Sequence, residues 1–122
     1  MNPEASRLTD YLDHMQQAAM DACGFVAGID KADFLEDKKT QQAVIMSLII
    51  IGEVATKVMD SYAEFTQAHP EVRWRSMRGM RNRIAHGYFD INLDVVWETV
   101  QTALPELLAQ LTVVCRSISK PL

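Results

Sequence analysis

At 122 residues, 48% of them hydrophobic, the chain has the size and composition of one folded domain spanning 1–122 and is too apolar for a disordered segment. Its net charge of −4 argues against a general affinity for polyanions. The longest apolar stretch, Ala43 to Ile51 broken only by Ser47, is nine residues against the ~20 that a bilayer requires, which excludes a membrane span on that count.

Met1-Asn2-Pro3-Glu4 is polar and lacks the basic-then-apolar order of a secretory signal. Leu8, Leu12, Met15, Ala19, Ala22 and Val26 then recur at three- and four-residue steps and predict an amphipathic helix that Gly28 ends. Asp30 is placed to cap a short turn through Phe34-Leu35. A long helix follows from about Thr40 to Met59, with Val44, Leu48, Ile51, Ala55 and Val58 on one stripe and further apolar residues over most of its circumference. Such a helix is central in a bundle or buried between subunits. Ser61-Tyr62-Ala63-Glu64 reads as a capping box opening another helix, which His69-Pro70 closes.

Trp74 to Ala85 predicts a short helix with Met77, Met80 and Ile84 inward and Arg78 and Arg81 turned away. Asn92 is the N-cap of the last helix, whose inward residues are Val96, Trp97, Val100, Leu104, Leu107, Leu108, Leu111, Val114 and Ile118. Pro105 must kink that helix or restart it. The fold class is all-α, a bundle of four to five helices. Cys23 and Cys115 lie within its apolar patterns and, with no export signal, read as reduced, buried thiols of a cytoplasmic protein.

The charge is uneven. Arg73, Arg75, Arg78, Arg81 and Arg83 fall within eleven residues, and no acid stands between Glu71 and Asp90. This stretch suits local engagement of phosphate on an otherwise acidic body, or a solvated helix face paired with nearby acids. Within it, Arg81-Asn82-Arg83-Ile84-Ala85-His86-Gly87-Tyr88 gathers a permanent cation, an amide, an imidazole and a phenol. On a continuous helix Arg81 and His86 diverge by roughly 140°, and they converge only if the helix frays before His86. Asn82 and His86, four apart, share a face.

Such residues suit RNA cleavage by the neighbouring 2′-hydroxyl. Histidine, with an ordinary pKa of ~6.5, moves protons near neutrality, and arginine's fixed cation stabilises charge building on the phosphorane. The reaction uses an acid and a base, whereas one chain supplies one such histidine, so a dimer facing two copies across a groove would supply both. The same residues also fit a salt bridge, a cap and a core-edge aromatic. Glu53, an acid on so apolar a helix, either pairs with Arg81 or faces solvent. His14 reads as solvated and His69 as a loop residue. The three histidines are far apart, and no His or Cys pair has metal-ligand spacing, so neither a metal nor a cofactor is expected.

Arg81-x4-His86-x-Tyr88 resembles the Arg-x4-His-x-Tyr motif of HEPN-domain ribonuclease toxins, specifically the HepT-like family. Phe34-Leu35 with Thr40-Gln41, Ile51-Gly52-Glu53-Val54-Ala55, His69-Pro70 with Trp74, His86-Gly87-Tyr88-Phe89, Val96-Trp97 and Leu104-Pro105-Glu106-Leu107 extend the similarity over about Leu8 to Leu111. The resemblance implies a HEPN-type helical bundle that dimerises with two motifs facing a shared cleft and cuts RNA without a metal. It implies Arg81 and His86 as catalytic residues, with Asn82 as the polar residue after the motif arginine. It further implies a partner, a minimal nucleotidyltransferase antitoxin, that transfers AMP to Tyr88. Arg78 and Arg83 are assigned to RNA binding from charge alone. A non-catalytic HEPN module that binds RNA or nucleotide, or scaffolds a nucleotidyltransferase, is the alternative; an intact Arg81/His86 pair favours the ribonuclease.

Overall fold

The computed structural model describes residues 3–119, with side chains from Arg7 to Ile118; Met1, Asn2 and residues 120–122 lie outside the described residues. Its elements are α1 (Pro3–Phe25), α2 (Lys31–Glu36), α3 (Lys38–Ser61), α4 (Ala63–Ala68), α5 (Trp74–His86), a 3₁₀ turn (Tyr88–Asp90), α6 (Leu93–Glu98), a π-helical segment (Thr99–Ala103) and α7 (Leu104–Ser119). Among the described residues there is no strand, and the domain is all-α. The five periodic segments of the sequence become α1, α3, α4, α5 and the continuous α6–α7, while the turn at Phe34-Leu35 is a short helix of its own.

α3 is the axis of the bundle. It packs on α1 along one side and on α5 along another, and α7 closes over α1. The predicted stripes supply this core: Leu12, Met15, Ala19 and Ala22 of α1 and Val44, Leu48, Ile51, Ala55 and Val58 of α3 are all buried, as are Leu104, Leu107, Leu111 and Val114 of α7. Leu108 and Ile118 are only half-buried at its edge. The uninterrupted apolar run understates α3, whose most apolar 18 residues have a mean hydropathy of 1.6, enough by length and composition alone to cross a membrane. Its stripe is instead enclosed by α1 and α5, the position of a central bundle helix. Met46 and Ile50 of the same helix stay exposed.

The boundaries follow from local chemistry. Gly28, at φ 81°, turns the chain out of α1 in a conformation that only glycine adopts cheaply. Asp30 caps α2 by accepting from the Asp33 N–H at 2.9 Å, as its position predicts. α3 starts slightly earlier than expected because Asp37 caps it, accepting from the Thr40 N–H at 3.1 Å and the Thr40 hydroxyl at 2.6 Å. Those hydrogen bonds hold the Asp37 carboxyl below the usual aspartate range.

The capping box at Ser61 does not form. α3 runs on through Ser61, so this residue is helical and cannot stand at an N-cap, and Tyr62 takes that position for α4. The Tyr62 N–H closes α3 on the Val58 carbonyl at 2.8 Å, and its ring meets Tyr11 of α1 edge-on at 6.4 Å. His69 ends α4 as the following proline requires. It is more embedded than a loop residue: its ring packs on Phe65 at 4.7 Å, its Nδ1 lies 3.3 Å from Glu71, and its carbonyl accepts from Trp74 Nε1 at 3.1 Å. These contacts fix the entry to α5.

Asn92 caps α6 through the Asp94 and Val95 N–H groups, again as predicted. The proline restart takes the form of the π segment: the Leu104 N–H reaches back to the Thr99 carbonyl. The widened turn lets a residue without an N–H enter at position 105 of α7 while the helix continues. Cys23 and Cys115 are thiols, half-buried rather than buried. Burial pushes both of them up in pKa, and the negative charge of Asp13 adds to the effect at Cys115.

α3 lies closely against α5 at Gly52. A Cβ at this position would overlap the Cβ of Arg81 and stand 2.8 Å from the Met77 carbonyl oxygen, which is backbone and cannot swing aside. Gly52→Ala must therefore push the two helices apart, and we expect a loss of about 1–3 kcal/mol in urea unfolding. Gly24→Ala in α1, where a Cβ meets nothing within 4 Å, should be neutral to stabilising by up to ~1 kcal/mol. Equal effects at the two positions would show that the α3–α5 approach is not close.

Candidate functional site

α5 carries the site. Trp74, Met77, Arg81 and Ile84 lie toward the bundle at helical spacing, with Met80 packed at the edge of the core, and Trp74 and Ile84 are buried. Met77 and Met80 are half-buried because α3 is the main helix that α5 leans on. Arg83 and His86 occupy the last turn, where positive charge complements the carbonyl end of the helix.

Arg81 does not turn away with Arg78. It stands four residues after Met77 and three before Ile84, on the inward stripe, and the missing side chain at Gly52 gives its stem room against α3. Its side chain is 23% exposed, with Nη1 3.1 Å from Glu53 Oε1. Its Nη2 donates to Thr56 Oγ1 at 3.2 Å. The Thr56 hydroxyl in turn donates to the Gly52 carbonyl at 2.9 Å. The Nε–H is buried with no hydrogen-bond partner among the described residues. Both readings of Glu53 hold at once, since it pairs with Arg81 and remains half exposed. Gly52 and Thr56 were missed by sequence reasoning. The 77-81-84 spacing, read as one stripe, would have turned Arg81 toward α3 and drawn attention to both.

The structure does not bring Arg81 and His86 together by fraying. α5 includes His86, so the two residues leave one helix roughly 140° apart. His86 is exposed, and Asn82, one turn earlier, is exposed on the same side. Gly87 caps α5 by donating to the Arg83 carbonyl at 3.1 Å, at a φ of −142° that any residue adopts. The chain then enters the 3₁₀ turn, where Tyr88 and Phe89 stack at 4.1 Å between ring centroids while exposed by 63% and 84%. The Tyr88 hydroxyl is thus on an accessible ring, not one packed at a core edge. Arg83 is exposed and Arg78 half-buried, while His14 is exposed on α1.

Between α5 and the α6–α7 strut lies a groove of about 650 Å³, floored by Leu48 and Ile51 of α3. Arg73 and Arg83 stand on its α5 side, Asp94 and Glu98 on the other. Among the described residues no group of three His, Cys, Asp or Glu is placed to hold a metal ion. The arrangement can present a fixed cation from the α3–α5 seam and a solvent-accessible imidazole and phenol from the end of the same helix.

Comparison with known proteins identifies the family. The sequence model of the family described as "Ribonuclease HepT-like" matches residues 15–114. A protein of Thermococcus cleftensis named "Probable ribonuclease HepT" is 41% identical over 98 residues, covering 80% of this chain and 86% of the relative. A protein of Caldanaerobacter subterraneus named as an RNase is 37% identical over 97 residues, 80% of this chain and 84% of the relative. Another named as an RNase, from Methanocaldococcus jannaschii, is 32% identical over 111 residues, 91% and 86% of the two chains. No solved structure matches. With the family match spanning the bundle from α1 to α7 and taking in Arg81, His86 and Tyr88, the chain belongs to the HepT-like ribonuclease family.

Proposed function

We propose that the protein is a metal-independent endoribonuclease acting as the toxin of a toxin–antitoxin pair. The observation that carries the reading is the Arg81-x4-His86-x-Tyr88 motif at the end of α5, with Arg81 held against α3 and His86 open to solvent, in a chain of this family. In the proposed reaction one His86 takes the proton of a ribose 2′-hydroxyl, whose oxygen attacks the adjacent phosphorus. Arg81 stabilises the phosphorane, and a second His86 gives its proton to the departing 5′-oxygen. The products are a 2′,3′-cyclic phosphate and a 5′-hydroxyl. Asn82 supports His86 from one turn away, and Arg78 and Arg83 meet the RNA backbone.

Two histidines require two chains. Exposed Met46 and Ile50 on the central helix and the apolar floor of the groove favour a homodimer. A two-fold axis would set the Arg73/Arg83 wall of each copy against the Asp94/Glu98 wall of the other. For neutralisation, a minimal nucleotidyltransferase antitoxin would transfer AMP to Tyr88. The exposure of that ring supports the reading, and the added phosphodiester would lie near the arginines of α5 and occupy the place of the RNA backbone. The site of action is the cytoplasm.

His86→Ala should lower RNA cleavage by at least about 100-fold with a nearly unchanged melting temperature, because the imidazole is exposed. Arg81→Ala should abolish cleavage and also lower stability, since it empties the α3–α5 seam. Wild-type activity should persist in EDTA and leave cyclic phosphate ends; activity lost to chelator and restored by a divalent ion would defeat the mechanism. Light scattering at micromolar concentration should give twice the 13.8 kDa chain mass, and a monomer alone would refute the shared cleft. Incubation with the nucleotidyltransferase encoded beside it and ATP should place AMP on Tyr88, silence the modified fraction and leave Tyr88→Phe unmodified, as read by intact mass and peptide mapping. An adduct elsewhere, or undiminished cleavage by the modified protein, would point to occlusion of the cleft instead.

A further inference from the structure

The two side chains of α3 that grip Arg81 are unequal. Glu53 is half exposed, and an ion pair so open to water is screened and free to exchange partners. Thr56 is held differently. Its hydroxyl has a single proton, and that proton is donated to the Gly52 carbonyl one turn back at 2.9 Å. The oxygen therefore offers only lone pairs to Arg81 Nη2, 3.2 Å away, and their direction is set by the backbone of α3.

The geometry also ties the two positions together. Gly52 and Thr56 are four residues apart on one face of the helix. The first admits the stem of Arg81 and the second meets its head. A planar guanidinium bonded at one Nη by an acceptor of fixed direction loses its freedom to rotate, so its other donors keep one orientation. We propose that Thr56 is a positioning residue for Arg81, acting through a hydroxyl that the helix itself has already oriented. This rests on the reading of Arg81 as the cation that meets the scissile phosphate.

Thr56→Val keeps the branched shape and removes both hydrogen bonds, whereas Thr56→Ser keeps the hydroxyl. With an RNA substrate, Thr56→Val should lower kcat by about 10- to 100-fold, as expected when a reacting group is misplaced by a fraction of an ångström, with KM changed little. Its melting temperature should stay close to that of the wild type, and Thr56→Ser should recover most of the lost kcat. A readout independent of turnover is ¹⁵N NMR of the Arg81 guanidinium at low temperature. Hindered rotation should resolve its two Nη signals in the wild type and in Thr56→Ser, and rotational averaging should merge them in Thr56→Val.

Full kcat in Thr56→Val, a defect in KM alone, equal defects in the valine and serine variants, or unaltered Nη signals would each overturn the inference. Arg81→Ala separates this from the parent reading. If that variant cleaves RNA at the wild-type rate, Arg81 is not the phosphate-facing group and the ribonuclease mechanism falls, while the NMR comparison still decides whether Thr56 orients the guanidinium.

Discussion

The contact between Gly52 and Arg81 organises the functional half of this molecule. α5 is held chiefly by α3, and the two helices approach as closely as they do because position 52 has no side chain. That single absence does two things at once. It brings the backbone of α5 onto the central helix, and it opens a slot for an arginine stem where an apolar residue would otherwise complete the seam. The guanidinium at the end of the stem then lies within reach of Glu53 and Thr56, and the chemistry of the site becomes a consequence of how two helices pack. A charged head is tolerated there because two of its nitrogens find oxygen partners and the group still borders solvent.

The all-α class and the core stripes were legible because they are periodic. Leu12, Met15 and Ala19 of α1, or Val44, Leu48 and Ile51 of α3, repeat at helical steps, and burial follows the repeat directly. Caps were legible where one side chain does the capping, as at Asp30 and Asn92. Ser61 misled because a capping box is a local pattern, while the end of α3 is decided by how far its packing on α1 and α5 carries it. Arg81 misled for a related reason: charge suggests solvent, but helical phase placed it inward, and only a glycine on another element made room. Such a pairing of Gly52 with Arg81, 29 residues apart, has no signature in either segment alone.

The cluster of five arginines likewise resolves into distinct roles once the helix is in place. Arg81 is drawn into the seam, Arg73 and Arg83 line one side of the apolar groove, and Asp94 and Glu98 face them from α6. Net charge therefore says little about what the surface presents. Arg73 and Arg83 stand opposite Asp94 and Glu98 across one groove, so a chain of charge −4 still carries a locally cationic helix.

The π segment in front of Pro105 has a consequence for the evolution of the chain. It adds a residue to one turn of a helix that must present Val96 on one side of the disturbance and Leu107, Leu111 and Val114 on the other to a common core. Removing one residue between Thr99 and Ala103 would restore regular winding and leave the α7 stripe in phase with α1, because the wide turn absorbs the roughly 100° that one extra helical residue brings. Adding one to a turn already widened has no such outlet and would carry the α7 stripe off α1 by roughly 100°. The segment is thus a place where the chain can shorten by one residue without moving α7, and such a deletion would cost the room made for Pro105 rather than the packing of α7 on α1.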